Sequence, residues 1–311
     1  MKKSMNYSAG LKWSMALLLG ASLVACGGGG GRDPILGSGG DGGGGGNDGG
    51  VSVTPPTAAA VPLGLASTYG VFGGSAGMTN TGIQTVITGT NGATADIGTI
   101  STANSAITGF HDSTGAIYTE APGNVGNVTG TIFTCTNATN GLYIQANCDA
   151  ATSALADARE AYNDLVAMPA GPNAGAGNLA NLTLAPGVYT SAAGSFKMEG
   201  GDLTLDAQGN PDAVWVFQMA TTLTVGGPGA AAPQSVILAG GAQAKNVYWQ
   251  VGSAATINAA GGGTMIGTII SQAGVAISTA GNVAPVILNG RALSLGASVT
   301  LVNTLINVPA P

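Results

Sequence analysis

The sequence contains few charged or aromatic side chains. Charged residues make up 7% of the 311 residues and aromatic residues 5%, whereas 54 residues are glycine. The positive mean hydropathy excludes a charged disordered chain, and the lack of a three-residue glycine period excludes collagen. Short β-branched segments bounded by glycine instead predict an all-β fold of many short strands and tight corners.

Histidine and cysteine are also scarce, which limits the possible chemistry. His111 is the only histidine, and the cysteines are Cys26, Cys135 and Cys148. In an exported protein whose Cys26 is modified, the remaining pair predicts a Cys135–Cys148 disulfide. A metal site is the alternative, but two thiols without a nearby histidine make a poor zinc set. We therefore predict no metal and no cofactor.

The best candidate for an enzymatic site is a group of carboxylates around one corner. Glu199, Asp202, Asp206 and Asp212 lie close in sequence, and parallel β-helices that cleave acidic polysaccharides use clustered carboxylates. The segment "DAQGNPDA" is nevertheless typical of a turn, and no Ser-His-Asp or Cys-His set is available. We predict that the protein is not an enzyme and has no catalytic residues.

The N-terminal segment predicts export. Residues 1–25 combine a basic start with the apolar run "WSMALLLGASLVA", which is too short to span a membrane and is typical of a signal peptide. The ending "LVAC" resembles the lipobox of bacterial lipoproteins, which implies lipidation of Cys26. Gly27 after this cysteine implies an outer-membrane or cell-surface location.

Residues 26–56 form a glycine-rich segment that predicts a flexible tether of roughly 30 Å root-mean-square span. Loss of Lys2, Lys3 and Lys12 with the signal peptide leaves five basic residues against 14 acidic ones. This acidic balance argues against nucleic acid and anionic membrane surfaces as partners. The membrane is expected to be contacted through the lipid anchor only.

Residues 57–311 predict one domain with a single long helix. A stripe of apolar residues at helical spacing predicts a helix over 149–168 that packs on a sheet, with Asp149 as N-cap and Pro169 as stop. The looser segment 111–148 is expected to be a cap insertion.

Four later segments repeat a cycle of apolar strand, corner and alternating strand: "VFQMATTLTV", "YWQVGSAATIN", "TIISQAGVAIST" and "ALSLGASVTLV". Such a cycle predicts a parallel β-solenoid, in which each coil stacks on its neighbours. Five residues are expected to form one buried ladder: Leu203, Leu223, Ile257, Ile277 and Val299. The aromatic residues of the strands are expected to be buried.

Several long motifs carry a resemblance to a known family. The segments "LTLAPGVYTS", "LTLDAQGNPDAVWVFQ", "GAQAKNVYWQVGS" and "NGRALSLGASVTLVNTLI" resemble bacterial and fungal ice-binding proteins over about residues 62–308. The resemblance implies a discontinuous, right-handed parallel β-helix of triangular section with a helix along one side. It also implies ice binding by a flat face that in several members carries T-[AG]-x-[TN] patterns, which occur here at Thr88–Asn91 and Thr279–Asn282.

The alternation of the strands predicts which residues point outward on such a face. The candidate ice-binding residues are Thr204, Thr222, Thr224, Thr256, Asn258, Ala276, Ser278, Thr279, Ser298 and Thr300. Asp202 is expected beside Thr204. Small side chains with few rotamers lose little entropy on docking. The function expected is a monomeric, non-catalytic ice-binding protein at the cell surface; the alternative is an adhesin or structural solenoid that binds carbohydrate.

Overall fold

The fold is a β-solenoid with one long helix. A computed structural model describes residues 54–226, 233–278 and 284–311. Within these residues the strands pair in parallel, apart from the short antiparallel contact between Phe110–Asp112 and Ile117–Tyr118. The predicted all-β solenoid with a single long helix is therefore confirmed. The signal peptide, Cys26 and almost all of the tether lie outside the described residues.

Each coil contributes strands to three faces, and the strands are numbered here in chain order. The helix face contains β1 (Tyr69–Gly73), β3 (Asp96–Thr99), β8 (Ile132–Thr134), β10 (Gly187–Thr190), β13 (Trp215–Met219), β16 (Val247–Val251) and the second halves of β18 (Thr264–Ser271) and β20 (Val286–Ser294). The threonine face contains the first half of β2 (Met78–Gly89), β4 (Ile107–Thr108), β11 (Phe196–Met198), β14 (Leu223–Val225), β17 (Ala255–Ile257), β19 (Val275–Ile277) and β21 (Val299–Val302). The third face contains β5 (Phe110–Asp112), β6 (Ile117–Tyr118), β7 (Asn124–Val128), β9 (Thr183–Leu184), β12 (Leu203–Asp206), β15 (Val236–Ala239), β22 (Thr304–Val308) and the remaining halves of β2, β18 and β20.

The order of the coils in space differs from their order in sequence. On the helix face β1 pairs with both β20 and β3, so the described chain starts in the middle of the stack. The chain then builds coils to one end, at β8, and crosses to β10 at the other end through the helix. From β10 the coils return until β21 and β22 pair with β2. The solenoid is thus discontinuous.

Glycine forms the corner between the third face and the helix face in two coils. Gly267 has a φ of 101° in the middle of β18, a conformation that side chains with a Cβ rarely adopt. A Cβ on Gly290, its register partner in β20, would lie 1.9 Å from the carbonyl oxygen of Gly267. Both strands can therefore turn the corner without a break in their pairing.

The helix α1 runs over Gln145–Ala167 and has Ile144 at its N-cap position. It begins four residues before the predicted start, so Asp149 lies inside the helix and does not cap it. The Nε2 of Gln145 donates a hydrogen bond of 2.7 Å to Asp149 Oδ1, one turn along. At the other end Met168 is extended, as expected for the residue before Pro169.

The predicted apolar stripe of α1 packs on the helix face. Its buried residues are Ala151, Ala154, Leu155, Ala158, Ala161, Tyr162 and Leu165. They contact residues such as Val188, Val216 and Ile270 that point outward from the sheet. Because the helix covers this side, the helix face is not available to a ligand as a flat surface.

Two stacked glutamines join the helix to the sheet. The buried Gln218 donates from Nε2 to the carbonyl oxygens of Leu165 (2.7 Å) and Met168 (3.0 Å), which are left without helical partners at the C-terminus. Its register partner Gln250 donates to the hydroxyl of Tyr162 at 2.7 Å. The sheet therefore caps the helix.

The interior is filled by ladders of apolar side chains. All five residues of the predicted inward ladder are buried, but they lie in different rows. Leu223 is in register with Ala255, Val275 and Val299, whereas Ile257 and Ile277 stack with Val225 and Leu301. Leu203 pairs with Val236 on the third face. The aromatic residues Tyr189, Trp215, Phe217, Tyr248 and Trp249 are buried, as expected.

A different contact lies at each end of the stack. At the β10 end, the carbonyl oxygen of Pro56 accepts a hydrogen bond from the amide of Val188, so a proline segment lies on the edge strand. At the β8 end, the predicted Cys135–Cys148 disulfide is present and joins β8 to the first turn of α1. The segment 111–148, expected as a cap, contributes β7 and β8 to the solenoid faces. No helix in the described part of the chain is both long and apolar enough to cross a membrane.

Candidate functional site

The threonine face carries one central row of outward side chains. Each of its three-residue strands buries its first and last residue; the middle one is partly exposed, or fully exposed in β11. The middle residues lie in register from one end of the face to the other: Lys197, Thr224, Thr256, Ala276, Thr300, Thr79 and Thr108. Five of these seven positions are threonine. Adjacent strands lie about 4.8 Å apart, so the row is closely spaced. Each side chain of the row therefore partly shields its neighbours from solvent.

A second row lies two residues earlier on each strand, about 6.7 Å from the first. Main-chain hydrogen bonds keep it in register, for example from Leu223 N to Ala254 O (3.2 Å) and from Val299 N to Gly77 O (3.1 Å). The row consists of small residues: Thr222, Ala254, Gly274, Ser298, Gly77 and Ala106. The predicted residues Thr222 and Ser298 lie here and are exposed.

The threonine hydroxyls of the central row are largely free. Among the described residues, nothing hydrogen-bonds to the side chains of Thr79, Thr224, Thr256 or Thr300, while Thr108 Oγ1 donates to Ser105 O at 3.3 Å. Each of these four threonines thus presents a methyl group and an uncommitted hydroxyl to solvent. The face can bind an ordered array of water or other hydroxyl groups through repeated weak contacts.

One charged pair bounds the face. Lys197 occupies the central row on β11, and its Nζ lies 2.7 Å from Glu199 Oε2. The hydrogen bond from Lys197 lowers the pKa of Glu199 below its usual value, so this carboxylate stays ionised at neutral pH. From β14 to β4 the central row carries no charge. The uncharged area therefore ends at β11.

Two of the predicted residues are corrected by the structure. Asn258 and Ser278 follow the last residue of their strands and have positive φ values of 43° and 51°. Both are buried at a corner, and Asn258 Nδ2 donates to the carbonyls of Gln234 and Gly262, each at 2.9 Å. The left-handed conformation turns their side chains inward, so alternation along the strand fails at this position.

Thr204 is also displaced from its predicted position. It lies on β12 of the third face, in register with Thr183 and Ile237, and not beside Thr224. Asp202 directly precedes β12 and accepts a hydrogen bond from Ser235 N at 2.7 Å. The strand that is in register with Thr224 at this end is β11, with Lys197.

The two T-[AG]-x-[TN] patterns do not contribute to the described threonine face. Thr88 lies on the third face as the register partner of Asn307, and Asn91 lies in the following turn. The second pattern, including Thr279, lies outside the described residues.

Sequence analysis missed Thr79 and Thr108 in the central row. Both lie in short segments recognisable as strands, "GMTNTG" and "SAITGF". The signal that could have identified them is a threonine directly after an apolar residue, Met78 or Ile107, as in Leu223-Thr224. These coils, however, precede the helix in sequence and are stacked next to β21 in space. An alignment of consecutive repeats cannot reveal that order.

In the part of the chain that the structure describes, the other titratable groups are scattered. His111 Nδ1 lies 2.6 Å from Glu120 Oε1 near the β8 end of the stack. The carboxylates Asp202, Asp206 and Asp212 lie at or near the corners that flank β12, and Asp206 Oδ1 accepts from Gln208 N. No group of three or more metal-binding side chains occurs among the residues described.

Comparison with known proteins agrees with this geometry. The ice-binding-like family model matches residues 72–307. An ice-binding protein of Nostoc sp. (strain HG1) is 35% identical over 239 residues, which cover 77% of this chain and 71% of the relative. An ice-binding protein of Leucosporidium sp. (strain AY30) is 32% identical over 260 residues, or 81% and 86% of the two chains.

The likeness extends to solved structures. The ice-binding protein of the Antarctic ascomycete Antarctomyces psychrotrophicus superposes with a TM-score of 0.59 at 31% identity. That comparison covers 81% of this chain and 100% of the fungal one. The family model spans the solenoid and its helix, from β1 to β22. The chain therefore belongs to the ice-binding-like family.

Proposed function

We propose that this protein binds the surface of ice crystals through the threonine face, without catalysis. The observation that carries the proposal is the in-register row of Thr224, Thr256, Ala276, Thr300, Thr79 and Thr108. Its relatives are named as ice-binding proteins.

The physical basis is the regular spacing of small groups on a rigid support. Parallel strands about 4.8 Å apart hold each hydroxyl and methyl at a fixed position, so water bound to them is ordered before ice is met. Threonine and alanine have few rotamers to lose, and each weak contact adds to the others because many are presented together. Charged side chains would keep their own hydration shells, and between β14 and β4 the row has none.

A carbohydrate-binding adhesin is the less favoured function. Sugar sites of that kind stack sugar rings on exposed aromatic side chains. The strand aromatics Tyr189, Trp215, Phe217, Tyr248 and Trp249 are buried inside the solenoid or under the helix. The threonine face therefore lacks such a platform within the described residues.

The proposal is tested by one pair of matched variants. Thr224→Tyr places a bulky ring on the threonine face, and Thr204→Tyr makes the same change on the third face. Both residues are the partly exposed centre of a strand with buried neighbours. Thr224→Tyr should lower the potency of recrystallisation inhibition about tenfold, corresponding to about 1.4 kcal/mol, while Thr204→Tyr keeps it.

If Thr224→Tyr and Thr204→Tyr inhibit recrystallisation with equal potency, ice binds to a surface other than the threonine face. If the unmodified domain shows no thermal hysteresis and no shaping of ice crystals, ice binding itself is wrong. Circular dichroism of both variants serves as the check on folding.

We further propose that the protein is exported as a monomer and anchored to the cell envelope by lipid on Cys26. The lipobox-like "LVAC" supports this. At the start of the domain, Pro55 and Pro56 contact Gly187 and Val188 of β10 on the helix face. At the envelope the domain would restrain ice growth or hold the cell to ice.

Expression of the full chain in a Gram-negative host tests the anchor. Mass spectrometry of the mature N-terminal peptide should find a lipid-modified Cys26, and Cys26→Ser should leave the membrane fraction. A soluble, unmodified wild-type protein would contradict the anchor without affecting the proposal of ice binding.

A further inference from the structure

A cavity of about 400 Å³ lies at the β8 end of the stack, beside the loop that the Cys135–Cys148 disulfide closes. Its walls come from β5, β6 and β8 and from residues 136–147, which lead from β8 into the first turn of the helix. Small-molecule sites are usually clefts of about 300–1,000 Å³, so this cavity is large enough to hold a ligand. The described strands of the threonine face do not line it.

The one charge in the cavity is already satisfied by the protein. Among the described lining residues, Asp112 is the only charged side chain. Its Oδ1 accepts hydrogen bonds from Thr114 N (2.9 Å), Thr114 Oγ1 (2.6 Å) and Ala116 N (3.1 Å), and its Oδ2 accepts one from Ile132 N (2.8 Å). A carboxylate has about four acceptor sites, so this one does not call for a cation. Its negative charge also repels an anion, which leaves a neutral ligand.

Neutral polar groups of the lining have unused hydrogen-bonding capacity. Thr136 is 5% exposed, and its hydroxyl has no hydrogen-bond partner. Thr134 Oγ1 accepts from Thr136 N at 3.2 Å, while its own hydrogen has no acceptor among the described residues. The side chain of Asn147 likewise makes no hydrogen bond there. Buried hydroxyls are nearly always hydrogen-bonded, so that of Thr136 indicates a missing ligand atom.

The disulfide holds two of these polar residues in place. Thr136 directly follows Cys135, and Asn147 directly precedes Cys148, so both lie next to the covalent link. The two cysteine Cα atoms are 4.4 Å apart, which fixes the two ends of the loop against each other. A site that is held in its binding geometry loses less conformational freedom when a ligand binds.

Apolar side chains form the rest of the lining. Tyr118 and Ile132 are buried, whereas Leu142 is 89% exposed and Ile144 is 55% exposed. The cavity thus combines apolar walls with a few polar groups, and it is open to solvent beside Leu142 and Ile144. Ligand sites commonly have this combination, because the walls supply contact area and the polar groups fix the orientation.

We propose that this cavity binds a small neutral polyhydroxy molecule, a monosaccharide or a sugar alcohol. Each ligand hydroxyl both donates and accepts, so it matches the free groups of Thr134, Thr136 and Asn147. The C–H groups of the ligand lie against Tyr118 and Ile132. The site is separate from the threonine face, so this binding is independent of ice binding and of adhesion through that face.

Ligand-observed NMR titration of the purified protein tests the site. The probes are glucose, galactose, mannose and sorbitol, and gluconate serves as the matched anion. At least one of the four neutral probes should bind saturably, and gluconate should bind at least about tenfold more weakly. Saturable binding of monosaccharides without sorbitol, or of sorbitol alone, supports the site and identifies which of the two kinds of molecule it takes.

Two matched variants remove one buried, unpartnered hydroxyl each. Thr136→Val should weaken binding of the best neutral probe about tenfold, because the ligand loses a hydrogen bond inside the cavity. Thr268→Val makes the same change on the helix face, outside the cavity, and should leave binding unchanged. Circular dichroism checks that both variants fold.

The proposal is overturned if none of the four neutral probes binds saturably, or if gluconate binds as tightly as the best of them. Equal weakening by the two threonine variants would also overturn it, and so would saturable binding of 1-hexanol without any of the four. Thermal hysteresis of Thr136→Val should equal that of the wild type, so failure of this site and failure of ice binding are distinguishable.

Discussion

Thr79 and Thr300 are direct register partners on adjacent strands of the threonine face, although they lie near opposite ends of the domain in sequence. Thr108 continues the row on the far side of Thr79. The coils that precede the helix therefore extend the face built by the coils that follow it. Four predictions follow from this arrangement and from the packing that supports it.

Thr79→Tyr should impair ice binding as strongly as Thr224→Tyr, because both rings would protrude from the same row. We expect about tenfold lower potency in recrystallisation inhibition, or about 1.4 kcal/mol. Thr183→Tyr on the third face is the control and should retain wild-type potency. A Thr79 variant with full potency would restrict the binding surface to the later coils.

Lys197→Thr should enlarge the uncharged face by one position. The ammonium group holds its own hydration shell, so its removal should raise thermal hysteresis by about twofold, or roughly 0.4 kcal/mol. Lys245→Thr removes a lysine elsewhere and should have no effect on ice. A decrease for Lys197→Thr would show that the charged pair with Glu199 assists binding.

Gln218→Leu should destabilise the fold, because the last carbonyls of the helix would lose their donor from the sheet. A buried group left without its partner costs about 1–3 kcal/mol, so we expect a loss of about 2 kcal/mol in the free energy of unfolding. Guanidinium chloride denaturation measures it. Gln272→Leu, at an exposed corner, should change stability by less than about 0.5 kcal/mol.

The stability of the domain should fall as the pH rises above about 10. Burial raises the pKa of Tyr118 and of Tyr189 to about 12, and it also raises the pKa of Tyr69 and of Tyr248. The unfolded chain loses these protons first, so alkaline pH favours unfolding. Arg291 opposes this trend, because desolvation lowers its pKa to about 10.

The raised pKa values of four tyrosines outweigh the lowered pKa of one arginine. We therefore expect the free energy of unfolding to fall as the pH rises. Ultraviolet absorbance of ionised tyrosine, followed together with circular dichroism, should show the buried tyrosines titrating only as the domain unfolds. Ionisation near pH 10 of every tyrosine in a folded domain would contradict this.

Local features of this protein could be predicted from its sequence. The alternation around Leu223 and Val225 predicts a strand with Thr224 outward, the apolar stripe around Leu155 and Tyr162 predicts the packed helix, and the last two cysteines form a disulfide as expected. These features depend on neighbours within a few residues, which is the range over which periodicity carries information.

The face itself was decided only by the tertiary structure. Strand periodicity says that Thr204, Thr224 and Thr256 point outward, but not that Thr204 faces a different side. The face on which a threonine lies depends on corners such as Asn258, where a positive φ turns the side chain inward. It also depends on the order in which the coils stack. Thr79 joins Thr300 because the helix carries the chain from one end of the stack to the other, so contacts between distant segments, absent from any local pattern, complete the row.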